Sequence, residues 1–225
     1  MDIFLYLIIL VVFCYFVFDR LRDRKLLKTV TGLDRGTKSE RKLVIKLLKL
    51  GIPADSIFHD LYVRKYRDNY SQIDLVVVTE VGILVFEVKD YSGWIYGNGS
   101  TKWTQVLAYG RQKYRFYNPV MQNNKHIEEL KKQLGQFEGI PFYSIIVFYG
   151  DCVLKELGFV PYGTFIIKHR SISQLMKEIL TKSEPAFYQN KNDIVRVLKE
   201  AAKNGENEDV RTRHVENIRN MFERN

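Results

Sequence analysis

The chain has 225 residues, 46% of them hydrophobic, with two cysteines and a formal net charge of +9. Cys14 lies inside an apolar run and Cys152 stands apart from it, which excludes a disulfide framework and agrees with a reducing compartment. The charge favours a polyanionic partner or an anionic membrane surface and carries no information about fold.

Residues 3–18 form an unbroken apolar run, at the short end of what spans a bilayer core. A cleaved signal peptide is the rival reading, but it wants a basic n-region and a small-residue cleavage site. Here only Asp2 separates the run from the initiating Met, and Arg20, Arg22, Arg24, Lys25 and Lys28 follow it. The expectation is an uncleaved anchor with its basic flank held on the cytoplasmic side. That gives a single pass through the cell membrane, with the N-terminus outside and the main domain cytoplasmic. The remaining ~190 residues suffice for one well-cored domain with a helical tail.

Thr37-Lys38-Ser39-Glu40 fits a capping box, and the helix it predicts carries Leu43, Val44, Leu47 and Leu48 and ends near Gly51. Glu40 lies on the line of that apolar stripe, so it reads either as a cap or as an inward-leaning carboxylate at a site.

Two β-branched runs, Ile73 to Val78 and Ile83 to Val88, flank Thr79-Glu80-Val81-Gly82 and predict a hairpin in which Gly82 supplies the permissive backbone. Leu84, Phe86 and Val88 then share one face, and Val85, Glu87 and Lys89 the other. A turn centred on residues 80 and 81 puts Asp74 opposite Glu87, a like-charge pair that destabilises a hairpin unless a cation neutralises it. Two carboxylates and a lysine on one strand face suit a hard metal with substrate phosphate oxygens as its other ligands. Lys89 would orient the attacking water or offset charge on the phosphate. A solvated face with a cross-strand ion pair reads the same way.

Gly97-Asn98-Gly99-Ser100-Thr101-Lys102 lacks the Gly-Lys-Ser/Thr order of a phosphate loop, and its Asn-Gly predicts a hairpin turn between Trp94-Ile95-Tyr96 and Trp103. Tyr109 to Tyr117 interleaves Arg111, Lys113 and Arg115 with Tyr114, Phe116 and Tyr117. This composition suits a single-strand nucleic-acid surface, or equally a half-buried flank with snorkelling stems. Asn118-Pro119 starts a helix whose stripe is Ile127, Leu130, Leu134 and Phe137. Projected back at 100° per residue, that stripe puts Asn123 nearer the buried face and Gln122 toward its edge, one turn from His126.

Phe142 to Tyr149 and Gly163 to Lys168 read as further strands, and Ile172 to Leu180 and Ile194 to Ala202 as helices. The charged stretch Asn204 to Asn225 is a weakly held terminal helix or a disordered tail. The spacing of His59, His126, His169 and His214 argues against zinc, and no Gly-x-Ser-x-Gly elbow is present.

Gln72-Ile73-Asp74, Phe86-Glu87-Val88-Lys89-Asp90-Tyr91-Ser92-Gly93, Trp103 and Asn118-Pro119-Val120-Met121-Gln122 together resemble the nuclease-related domain, NERD, of the PD-(D/E)XK nuclease superfamily, over about Gly36 to Gln136. The resemblance implies an α/β fold with a restriction-endonuclease-like mixed central sheet flanked by helices, here preceded by one transmembrane helix. It implies a Mg²⁺ (or Mn²⁺) site at Asp74 and Glu87 with a helical Glu, matched by Glu40. Lys89 would assist the nucleophile, and a helical Gln, matched by Gln122, would complete the catalytic set. The implied activity is hydrolysis of phosphodiester bonds in nucleic acid, DNA ahead of RNA. The alternative is a membrane-tethered nucleic-acid-binding or scaffold module without turnover. The expected organisation is an anchor over 1–19, a basic linker over 20–35, the NERD-like domain with a C-terminal sheet extension over 36–182, and C-terminal helices or tail over 183–225.

Overall fold

A computed structural model of the chain describes residues 2–65, 69–98, 101–107, 110–134, 139–188 and 191–223. Gly99 and Ser100 of the expected hairpin turn, Tyr109 of the basic aromatic stretch, Gln136 at the end of the resemblance and Phe137 of the helical stripe lie outside the described residues.

The first helix, α1 (Asp2–Leu27), is long and apolar enough to cross a membrane, and its side chains from Ile3 to Phe18 are exposed. Its far end belongs to the folded core. Leu27 is buried against α2 (Lys38–Lys49), and Lys49 pairs with Asp23 at 2.6 Å. Thr37 caps α2 through its hydroxyl, which accepts the Glu40 N–H, and Leu43, Val44 and Leu47 are fully buried. Each such side chain contributes about 1.5–3 kcal/mol, so a charge at Leu43 or Leu47 would detach the helix.

Five strands make the main sheet: β1 (Ile57–Arg64), β2 (Tyr70–Thr79), β3 (Gly82–Asp90), β7 (Phe142–Tyr149) and β9 (Thr164–Lys168), in that order. β1, β2 and β3 are antiparallel, whereas β3, β7 and β9 are parallel, so the sheet is mixed. β3 is buried nearly throughout, and its alternation sorts as its sequence predicts. Leu84, Phe86 and Val88 pack with α2 and with α4 (Ile172–Lys182), while Ile83 and Val85 pack with α3 (Pro119–Gln133) and α5 (Lys191–Asn204). Gly82 has φ +141°, and a Cβ there would press on the Pro141 carbonyl, so the tight turn requires glycine.

The single central sheet of the expectation is joined by a second one. β4 (Gly93–Tyr96), β5 (Lys102–Leu107), β6 (Gln112–Tyr117) and β8 (Cys152–Lys155) form a four-stranded mixed sheet in the order β6-β5-β4-β8. Trp103, Phe148 and Ile95 fill the core between it and the main sheet, with Cys152 a buried small residue among them. β6 is its edge strand: Lys113, Tyr114, Arg115 and Tyr117 are exposed, while Phe116 turns in against Tyr91 and Trp103. The basic aromatic stretch is therefore mostly surface. The C-terminal stretch forms α6 (Glu208–Glu223), held by buried Val210 and by His214, whose Nδ1 lies 3.0 Å from the Tyr70 carbonyl.

Candidate active site

The site begins where two ladders stop. β2 and β3 pair from Thr79 with Gly82 to Leu75 with Phe86, and the next step would put Asp74 opposite Glu87, as the turn predicts. Pairing ends one residue short of it. The β1–β2 ladder also skips this level, passing from His59–Leu75 to Leu61–Ile73, with Asp60 at φ +53°. Asp74 thus sits in a gap between its neighbours, and its Oδ2 accepts the Val88 N–H at 2.7 Å in place of a strand carbonyl. Burial, then the charges of Glu87 and Glu40, push its carboxyl well above the usual range, against the opposing pull of Lys89 and the Val88 N–H.

Glu87 is almost fully buried, with Oε1 at 2.6 Å from Lys89 Nζ and Oε2 at 3.5 Å from His126 Nε2. Lys89 Nζ also donates to Gln122 Oε1 at 3.1 Å. Burial alone would lower the Lys89 pKa, but Glu87 and Asp74 raise it above its ordinary value, so the group is an ammonium at neutral pH. On α3, capped by Asn118 with Pro119 in its first turn, Asn123 points inward and donates to the Val85 carbonyl and to Ser144 Oγ. The more peripheral Gln122 is the residue that reaches Lys89. His126 continues the network to Ser71 Oγ at 3.0 Å through Nδ1.

Glu40 serves two partners. Its Oε1 accepts the Thr37 hydroxyl at 2.6 Å, and its Oε2 faces His59 Nε2 at 3.3 Å. Burial would raise this carboxyl, but His59 and Thr37 together hold it below its ordinary value. His59 is oriented from behind by Thr31 Oγ1 at 3.0 Å from Nδ1. Gly36, at φ +60°, closes over this pair, since any Cβ there would collide with Glu40 Oε2 and the His59 ring.

A family model for the nuclease-related domain, NERD, matches residues 35–149, just over half of the chain, and spans every side chain of this network except Thr31. The chain belongs to the NERD family. It is also 36% identical over 122 residues to an uncharacterized protein of Bacillus anthracis, covering 53% of this chain and 56% of that one. The chain therefore spans little more than half the length of that relative. No solved structure matches it.

Within the NERD segment the structure joins Glu87, Lys89 and Gln122 by direct contacts, with Glu87 and Glu40 close enough for their charges to act on the Asp74 carboxyl. Among the described residues, no group of three or more His, Cys, Asp or Glu side chains is drawn together tightly enough to hold a metal ion. The donor set nevertheless fits a hard cation in kind. The charges of Glu87 and Glu40 both bear on Asp74, and the buried Oε2 atoms of Glu40 and Glu87 lack an aligned hydrogen-bond donor. His59 and His126, which face those two atoms, are the site neighbours that sequence reasoning missed. His126 carried a signal, because it lies one helical turn from Gln122. His59 carried none, because its position depends on the pairing of β1 with β2.

Proposed function

We propose that this NERD protein is a Mg²⁺-dependent nuclease hydrolysing phosphodiester bonds in nucleic acid, anchored in the cell membrane by α1 with its main domain cytoplasmic. The observation that carries the reading is the Glu87–Lys89–Gln122 connection beside Asp74. Asp74 and Glu87, with Glu40 as a third carboxylate, would hold Mg²⁺ or Mn²⁺, which when bound supplies Lewis-acid polarisation of a phosphoryl oxygen. Lys89, kept charged by Glu87 and held in place by Gln122, offsets negative charge developing on the phosphate and donates to the attacking water. As an ammonium it is a donor and not the general base. His126, itself in contact with Ser71 Oγ, stands 3.5 Å from Glu87 Oε2 on the side away from Lys89. The basic net charge suits a polyanionic substrate, and DNA comes ahead of RNA on family resemblance.

One observation favours a second reading. Glu87 is already neutralised by Lys89, as it would be in a binding module without turnover. The separating experiment uses the full chain in detergent, because Leu27 is part of the core and a truncation after α1 would expose it. Single- and double-stranded DNA and RNA are incubated with Mg²⁺, Mn²⁺ or EDTA, using wild type, Glu87→Gln and Lys89→Met. Metal-dependent cleavage lost in both variants supports the nuclease; equal cleavage by all three defeats the catalytic assignment. Binding without cleavage under either metal supports the module.

A further inference from the structure

An open cleft of about 610 Å³ lies on the opposite face of the main sheet from Glu87 and Lys89, lined in part by Ser39, Lys42, Lys46, Asp90, His169 and Arg170. It sits where the parallel strands β3, β7 and β9 end, at Asp90, Tyr149 and Lys168, which is where open α/β sheets take ligands. Its charge is only partly offset from within, since three cations face the one carboxylate of Asp90. Lys42, Lys46 and Arg170 have no hydrogen-bond or ion-pair partner among the described residues, and the acid in the lining, Asp90, is engaged by the Ser39 hydroxyl. Lys42 and Lys46 are four residues apart on α2, a like-charge spacing that costs helix stability unless an anion lies between them. His169 stacks on Tyr149, with centroids 4.9 Å apart and planes at 13°, and its buried Nδ1 has no partner.

We propose that this cleft binds a phosphate of the same nucleic-acid strand whose scissile phosphate lies at the candidate active site. The inference rests on the nuclease reading, and adjacency joins the two places. Ser39 precedes Glu40, and Asp90 follows Lys89, so the cleft and the site share α2 and β3, and a strand reaching both would pass over the ends of β3, β7 and β9. Lys42, Lys46 and Arg170 hold the phosphate oxygens as unspecific cations, and the His169 ring offers a face for a neighbouring base. An anionic lipid headgroup is the competing occupant, because α2 also leads to Lys49 and its Asp23 partner on α1. The concave shape and the adjacency to the site favour the strand.

The test measures anisotropy of fluorescein-labelled single-stranded and duplex DNA in EDTA over a series of salt concentrations, with the full chain in detergent. Wild type is compared with a Lys42→Gln, Lys46→Gln, Arg170→Gln triple variant; the exposed pair Lys42→Glu, Arg170→Glu is the reserve if the triple variant misfolds. Each neutralised phosphate contributes about 0.9 to the log–log salt slope on duplex DNA, so the triple variant, which loses the phosphate held in the cleft, is expected to bind more weakly and to lose about one unit of slope. Unchanged affinity and slope in the cleft variants overturns the proposal, as does absence of any DNA binding by wild type. It also falls if wild type retains phosphatidylserine from mixed micelles, the triple variant does not, and both bind DNA equally. Cleavage by wild type with Mg²⁺ is scored separately, so weakened binding in the triple variant without any wild-type cleavage would remove the nuclease reading and leave the cleft as a binding site.

Discussion

Asp74 accepts the backbone N–H of Val88 across a gap that both neighbouring ladders leave open. An aspartate here has two effects. It closes a backbone donor that the sheet cannot close, and it adds a carboxyl beside Glu87 and Glu40, whose charges resist its ionisation.

The two effects separate by substitution. Asp74→Asn keeps an acceptor for Val88 and removes the repulsion, so its unfolding free energy is expected to equal or exceed that of wild type. Asp74→Ala leaves the Val88 N–H unpaired and is expected to cost about 1–3 kcal/mol. Urea unfolding of both variants checks this, and an Asn variant as unstable as the Ala variant would contradict it.

Lys89 and Glu87 are expected to behave as a pair. Removing the ammonium by Lys89→Met strands a carboxylate with 1% of its side-chain surface exposed, at a cost of about 3–5 kcal/mol. Adding Glu87→Gln to that variant should recover most of the loss. A double-mutant cycle measures the coupling, and additive effects would show that the contact contributes no stability.

Gly36 is expected to tolerate no side chain. Gly36→Ala combines a left-handed backbone, about 1–2 kcal/mol for a residue with a Cβ, with collision against the Glu40–His59 contact. Stability should fall by at least that amount, measured by thermal unfolding. Gly51, also at positive φ but with open space around it, is the control and should show the backbone part alone.

Docking of α6 should depend on pH through His214. Burial holds its pKa below the ordinary 6.5, against the pull of the Tyr70 carbonyl. A depressed folded-state pKa means that the unfolded or undocked segment binds the proton more readily. The stabilisation is therefore complete above pH 6.5 and is lost as pH falls through the lowered value. Protection factors of α6 amides, corrected for the intrinsic exchange rate at each pH, should fall below pH 6.5 in wild type, and His214→Phe should weaken that dependence.

Local signals made the hairpin legible. A two-residue turn, Glu80-Val81, followed by Gly82 set the register, and alternation along β3 sorted Phe86 from Glu87. Back-projection along α3 placed Asn123 inward and Gln122 at the edge, and that edge position gives Gln122 its contact with Lys89. What was not legible depends on distant parts of the chain. The second sheet needs β4 to pair in parallel with β8, nearly 60 residues away, and no local period announces such a partner. His59 faces Glu40 only because β1 pairs with β2. Glu40 read as either a cap or a site carboxylate, and the fold uses one oxygen toward Thr37 and the other toward His59.

The most direct measurement is phosphodiester cleavage by the full chain in Mg²⁺ or Mn²⁺, run beside Glu87→Gln and with folding verified for both. The nuclease reading predicts cleavage that EDTA abolishes and that falls at least about 10²-fold in the variant, the scale expected when one group stabilising the transition state is removed. Cleavage that persists unchanged in Glu87→Gln, or no cleavage of DNA or RNA by wild type with either metal, would contradict it.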